Sequence, residues 1–532
     1  MHNSGTGGQA PAALDLRLVP AALTGWAVTA AGIAWPVGAV AASACVVVAA
    51  GSVGLRWFAE RRDARPALRA VSAGLLAASV IGAGMGFAIA LRSDAVHRHP
   101  MTNRFGTVAR ITVIPSETTR SLGSGRMMFP ATLERLGADE MWGRVVVFAP
   151  VLGFHEVIAG QPVAFSARIS RPTRRDLTVA VLNAKGEPTL GQAGSVQRAA
   201  HVIRSRFADA ARTVLPGDQA AMLPALVLGD TSAVTAMTSR EFRAAGLTHL
   251  TAVSGANVTI VCGAVLLLSR LVGPRTAVAL AAVALVVFVI VVQPTASVLR
   301  AAVMGTIALL AVLSSRRRQA IPALSATVLV LMIVAPQLAV DVGFALSVVA
   351  TAALVVLAPV WSRRLVSRGW PKPLADVTSI ALAAQLVTAP LVAGISGRVS
   401  LVAVSANMAV GALIAPITVL GSAAAVLSVV WPGGAQLLIR FTGPELWWLL
   451  RIAHWAAAVP GASMPVPSGV AGVVAVGAAA ALAVVAWRWR WFRIAAGSTA
   501  ICLLLCLLAW TASALFTGHG AVVSAARDTI VG

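Results

Sequence analysis

Residues 245–261 read AGLTHLTAVSGANVTIV and open a long apolar run. A helix entering a bilayer needs little beyond Leu, Val, Ile and Ala. This one spends its first turns on His249, Thr251, Ser254, Gly255 and Asn257. On a helix, Thr251, Ser254 and Asn257 fall three apart and are expected to share one face. An amide in hydrocarbon needs a partner or water, and Gly255 beside it permits close backbone approach or a local break in the helix. The spacing leaves two readings: glue between helices, or the wall of a polar path.

The surrounding chain reads as a polytopic α-helical membrane protein. Its 532 residues are 58% hydrophobic and 11% charged, with mean hydropathy +0.84, whereas soluble domains carry about 25% charged residues. Apolar runs of about 18 or more residues recur, and each marks a membrane span. After a polar tail (1–19), the N-terminal helices (20–93) comprise a hairpin from Ala21 to Leu55, turning near Pro36, and a span from Val71 to Leu91. Further spans are expected near 249–269, 276–293, 296–314, 320–338, 342–361 and 376–395. The uncharged run 399–431 is long enough for two helices broken near Pro416, so the core covers 247–431. GPELWWLLRIAHWAAAV (443–459), within 434–465, reads as an interfacial amphipathic helix with its tryptophans at the headgroup level. Spans 468–487 and 494–515 complete a C-terminal pair (466–515) before a short tail (516–532). The total comes to about ten to twelve spans.

Between the first spans and the core the periodicity changes. GTVARITVI, MMFPATLERL, GRVVVFAP, QPVAFSARIS and LTVAVLNA alternate at period two with Gly, Pro and Ser punctuation, which predicts five β-strands. Five strands in so short a stretch suit a small barrel of the OB type over 104–190, with a sandwich as the other arrangement. Residues 194–246 read as an amphipathic helical linker.

The net charge of +23 follows largely from arginines in alternate loops: 56–69, 270–275, 315–319, 361–372 and 487–493. By the positive-inside rule those loops are cytoplasmic. The β-domain, the mouth of the 249–269 span and the C-terminal tail then lie outside a cytoplasmic membrane. The first apolar run reads as an anchor, not as a cleavable signal. Cys45, Cys262, Cys502 and Cys506 all sit in apolar stretches, so neither an extracytoplasmic disulfide nor a thiolate metal site is expected.

Individual residues sharpen the picture. Arg300, in PTASVLRAAVMG, costs ~2.5–3.5 kcal/mol at mid-span on insertion scales; it either snorkels to the nearby outer surface or faces a polar interior. Asp341 sits at a helix start, where a carboxylate caps and complements the dipole. Gln385 and Asn407 are amides in apolar helices that could line a cavity. Asp230, in LVLGDTSAV, takes a turn or cap position by default. In the β-domain, Arg144, Arg171, Arg174 and Arg175 are candidates for phosphate contact. Trp142, Phe148, Phe154 and Phe165 are candidates for base stacking, although the barrel core is the default place for each. His97 and His99 form an isolated HxH pair. No acidic pair sits at catalytic spacing, and GxxxxGK[ST] is absent. No enzyme, cofactor or metal site is expected.

LVLGDTSAV, then Phe242, then GLTHLTAVSGANVTIV resembles the signature of the ComEC competence-channel family. So do PTASVLRAAVMG, VDVGFALSVVATAALVVLAP and RVSLVAVSANMAVGALIAPI, in the family's order. The resemblance is strong over about 220–431 and weaker over the N-terminal spans and the outer β-domain. It implies a channel carrying one DNA strand across the cytoplasmic membrane during natural transformation. The partners it implies are single-stranded DNA, the lipid bilayer, an extracytoplasmic DNA receptor, and a cytoplasmic ATPase or single-strand-binding protein. The pore would lie within one chain or in a homodimer. The resemblance raises the weight on Asp230, His249, Ser254, Gly255, Asn257, Arg300, Asp341 and Asn407 as path residues. Many family members carry a C-terminal metallo-β-lactamase-like domain. With no HxHxDH cluster before Gly532, the form lacking that domain is expected, without zinc or nuclease activity. The alternative function is a polytopic transporter or envelope-assembly protein moving another anionic polymer or a lipid-linked precursor.

Overall fold

Three apolar helices begin the chain: α1 (Val19–Ala34), α2 (Gly38–Arg61) and α3 (Pro66–His97). The computed structural model describes residues 15–35, 37–61, 66–123, 125–313, 319–491, 493, 494 and 498. The first two helices form the expected hairpin, and α3 packs along both; Pro36 lies outside the described residues. Small residues allow this closeness. A Cβ added at Gly86 of α3 would lie 3.0 Å from both Ala42 and the Gly38 carbonyl oxygen, the close backbone approach typical of membrane helix pairs.

The alternating segments form β1 (Val108–Pro115), β2 (Arg120–Gly123), β3 (Arg126–Leu136), β4 (Asp139–Pro150), the kinked turn α4 (Val151–Phe154), in which Leu152 and Gly153 leave the helical conformation, β5 (Val163–Ser170) and β6 (Ala180–Leu190). Five of the six strands close on themselves in the order β1-β3-β4-β6-β5-β1. Every pairing in the ring is antiparallel except β4 with β6, which run parallel. The short β2, not foreseen from the alternation, lies along β3. Period-two alternation sends Ile111, Val113, Phe129, Leu133, Val147 and Ile169 into a dry core and their neighbours outward.

The chain continues through α5 (Ser195–Val214), α6 (Gly217–Leu228), α7 (Ala236–Ala244), α8 (Gly255–Leu268), α9 (Pro274–Val292), α10 (Ala296–Leu313), α11 (Ala320–Val334), α12 (Val342–Val356), α13 (Ala358–Val366) and α14 (Lys372–Ser396). It ends in β7 (Arg398–Ser400), α15 (Ala403–Val430), α16 (Pro432–Phe441), α17 (Gly443–Ala458), β8 (Ser463–Pro465) and α18 (Gly469–Ala486), with β7 pairing β8. Among the described residues, eight helical segments are long and apolar enough to cross a membrane. They are α2, α3, α9, α10, α12 continued by α13, α14, α15 and α18, while α1, α8 and α11 are shorter apolar helices. The expected span 494–515, the tail 516–532, Cys502, Cys506 and most of the 315–319 loop lie outside the described residues, as does most of the polar tail 1–19.

Three expectations change. Residues 403–430 form one helix running through Pro416, because packing against neighbouring helices compensates the single hydrogen bond a proline removes. The stretch 194–246 is not amphipathic throughout, since α6 is buried from Met222 to Leu228. The helix expected from residue 249 starts only at Gly255.

The barrel joins the helices through its loops. Gln293 Oε1, in the turn between α9 and α10, accepts hydrogen bonds from Thr118 N at 2.8 Å and Thr118 Oγ1 at 2.6 Å. Gln293 holds a left-handed φ of 75°, uncommon for any residue but glycine, and the two hydrogen bonds from Thr118 hold its side chain. Arg175 Nη1 donates to the Ala34 carbonyl at 2.8 Å, at the end of α1.

Candidate functional site

The site is built around the end of α6. Gly229, at φ 73°, terminates that helix: its N–H bonds the Ala225 carbonyl and the Asp230 N–H reaches back to Pro224. Carbonyls in the last turn, those of Leu226 and Leu228 among them, must find partners outside the helix. Asn257 Nδ2, on α8, donates to the Leu226 carbonyl at 2.9 Å. Arg204 Nη1, on α5, donates at 3.2 Å to the Leu228 carbonyl and at 3.2 Å to Val291 in the last turn of α9. Arg206 donates to the Val429 carbonyl at the end of α15. Two arginines of one helix thus serve the negative ends of three others, where a cation is stabilised by the helix dipole. Arg204 is only 8% exposed. Burial pushes its guanidinium below its ordinary pKa, while the Asp230 carboxylate opposes that shift from 3.9 Å. Asp230 also accepts from Ser232 N and Oγ, which fixes the turn after α6.

At the mouth of α8, Ser254 occupies the N-cap position and its hydroxyl donates to Asn257 Oδ1 at 3.2 Å. Asn257 is 5% exposed with both ends of its amide bonded. Thr251 does not share the helical face expected of it. It follows a 3₁₀ turn, Thr248–Leu250, and bonds the Thr248 carbonyl. Exposed His249 lies in the same turn. The polar residues therefore mark a break before the helix, and Gly255 begins it.

Gly255 lies against Arg300: a Cβ there would sit 2.5 Å from Arg300 Nη2. Arg300 is 7% exposed, so it does not snorkel. Its Nε donates to Ser347 Oγ of α12 at 2.7 Å, and Ser297 Oγ stands 3.3 Å from the same hydroxyl. Among the described residues Arg300 has no carboxylate partner. An opening beside Asn257, lined by Ser254, Leu226, Ile417 and Thr418 among others, holds about 10 Å³. That is room for one water at most; Asn257 and Arg300 are both buried, and the cluster is closed in this conformation.

Asp230, Ser254, Gly255, Asn257 and Arg300 are thus brought together. Asp341 caps α12, its Oδ1 accepting from Phe344 N at 2.6 Å, six residues before Ser347. Gln385 bonds the Ser400 carbonyl at 3.4 Å, and Asn407 bonds Ala403 in its own helix; both stand apart from this network. Arg204, Ser347 and Gln293 belong to the network or its border without having been singled out in the sequence. For Arg204 a signal existed, because it falls on the stripe Ala200, Phe207, Ala211 that α5 buries. Among the described residues no group of three His, Cys, Asp or Glu is placed to hold a metal ion.

On the barrel, Trp142 stands 75% exposed, and Arg144, two residues along β4, faces the same side. Phe148 shares that outward face, with the Arg126 guanidinium 5.8 Å from its ring centre. Phe154 is a correction. It is wholly buried and packs edge-to-face on Phe165 at 5.3 Å, so neither ring can stack on a base. Arg171 lies over the Phe105 ring at 5.6 Å, Arg175 is engaged with Ala34, and Arg174 is exposed.

Residues 226–491 match the family model described as Competence protein, half of the 532-residue chain. The chain belongs to the competence protein family. In this family member the matched segment opens at Leu226, the residue whose carbonyl Asn257 holds. It takes in Asp230, the mouth of α8, Arg300 and Ser347, and leaves out the barrel and the Arg204 clamp. No curated protein and no solved structure matches this competence-family chain.

Proposed function

We propose that this competence-family protein is a channel that carries one strand of DNA across the cytoplasmic membrane in natural transformation, with the barrel on the extracytoplasmic side. Arg300 is the observation that carries the reading. A buried guanidinium in an apolar span is costly and marks a path or a gate. This one rests on a glycine and a serine hydroxyl, and among the described residues no carboxylate pairs with it. Separation of α8 from α10 and α12 would expose it to a polyanion, which needs a wet, partly cationic route.

The barrel is read as an OB module that receives the strand. Its five-stranded closed order and its outward β3–β4 face support this, since that face and the adjoining loops bind oligonucleotides in OB folds. Trp142 and Phe148 would stack on bases while Arg126, Arg144 and Arg174 meet phosphates. The β1–β2 loop contacts Gln293 of the matched segment through Thr118 and the β5–β6 loop contacts α1 through Arg175, so a strand held there is handed toward the helices. The chain acts as a carrier, not a catalyst, and inward pulling falls to a cytoplasmic ATPase or single-strand-binding protein.

The test follows fluorescent DNA into the cytoplasm in a deletion strain restored with wild type, Arg300→Gln or Asn257→Ala at matched membrane levels. Loss on deletion, rescue by wild type and failure of Arg300→Gln are expected. Undiminished uptake in a competent host lacking the protein would overturn the reading and leave transport of another anionic polymer or a lipid-linked precursor.

A further inference from the structure

A cleft of about 420 Å³ opens between α1, α3 and α11, away from the polar cluster. Ligand sites usually fall within about 300–1,000 Å³. Ile81, Met85 and Ile89 of α3 form one wall, and Leu329, Met332 and Ile333 of α11 form the other. Two polar side chains touch it. Thr29 turns its hydroxyl back to the Gly25 carbonyl of its own helix, which leaves the floor apolar. Arg92 stands at the end near the barrel, exposed, with Nη2 donating to the Ile333 carbonyl at 3.2 Å.

The cleft has a geometric cause. The 15 residues of α11 reach only ~22 Å at 1.5 Å per residue, short of the ~30 Å hydrocarbon core. Its neighbour α3 has 32 residues and runs well beyond that thickness. α11 stops at Val334 and a 3₁₀ turn, Pro336–Val340, takes over; the cleft lies beside α3 at this junction, with Pro336 and Arg92 in its lining. An apolar slot with one cation at its polar end is complementary to an amphiphile bearing an anionic head, and the bilayer supplies such molecules at high local concentration.

We infer that this cleft is a binding site for an anionic phospholipid, with one acyl chain between α3 and α11 and its phosphate on Arg92. The lipid fills the void left by the short helix, and the guanidinium serves both the phosphate and the end of α11.

Native mass spectrometry of the full chain, released from bilayers of matched phosphatidylglycerol and phosphatidylcholine, tests this. Wild type should retain one phosphatidylglycerol in preference to phosphatidylcholine. Arg92→Gln should reduce that preference about tenfold, the loss of a charge-assisted contact. Gly84→Leu should carry one lipid fewer. Gly84 lines the cleft and a Cβ there meets nothing within 4 Å, so a side chain can enter the slot from this position. Equal retention of the two lipids by wild type, or an unchanged lipid count in folded Gly84→Leu, would overturn the inference.

Discussion

Replacing Gly255 by alanine probes the contact that keeps the polar cluster closed. The new Cβ would lie 2.5 Å from Arg300 Nη2 and 3.3 Å from the Ala301 Cβ. Ala301 is fixed to the α10 backbone, so the guanidinium is the partner that must move. Where that shift carries Nε with it, the 2.7 Å bond from Nε to Ser347 Oγ is lost. Hydrogen bonds to charged groups contribute ~1.5–3 kcal/mol. Alanine recovers up to ~1 kcal/mol over glycine in a helix, and less at a first position, which leaves a net loss of about 1–2 kcal/mol. The decisive assay is a double-mutant cycle with Ser347→Ala, read by tryptophan emission during denaturation in mixed micelles. Both substitutions remove the same bond, so the second should cost little once the first is present, with a coupling of ~1.5 kcal/mol. Additive losses, with coupling below ~0.5 kcal/mol, would refute the claim that Gly255 is needed to seat Arg300 against Ser347.

Arg204→Met should destabilise the protein by ~1–3 kcal/mol, because it leaves the buried Leu228 and Val291 carbonyls without their donor. Hydrogen exchange should speed up at the ends of α6 and α9, and Arg204→Lys should restore only part, since an ammonium lacks the planar fork. Asn257→Ala should cost ~1–3 kcal/mol by leaving the buried Leu226 carbonyl unpaired, measured in the same micelle titration. Trp142→Ala should leave stability unchanged yet lose ~1–3 kcal/mol of single-strand binding to the full chain, read by anisotropy at low and high salt. Phe154→Ala should instead cost ~3–5 kcal/mol of barrel stability; if the two substitutions weakened binding to the same extent with no loss of stability, the assignment of inward and outward rings would be wrong.

Composition and periodicity settle what depends on local burial. Apolar runs identify the membrane helices, and period-two alternation picks out all five barrel strands, because each residue's face follows from its own neighbours in the chain. The polar mouth before α8 is equally visible as a departure from that pattern. Partners across the fold are not visible in this way. Asn257 serves Leu226, 31 residues away, Arg300 serves Ser347, 47 away, and Arg204 serves Val291, 87 away. A helix ends with carbonyls that need donors, but which distant side chain supplies them depends on how the helices stack. The same holds for Phe154 and Trp142, alike as aromatic residues in one domain, of which barrel closure buries the first and leaves the second on the surface. The sequence by itself thus determined a membrane helical bundle with an inserted β-domain and a polar break before α8; packing alone decided that the β-domain closes into a barrel and that this break closes over Arg300, because strand and hydrogen-bond partners are chosen in three dimensions.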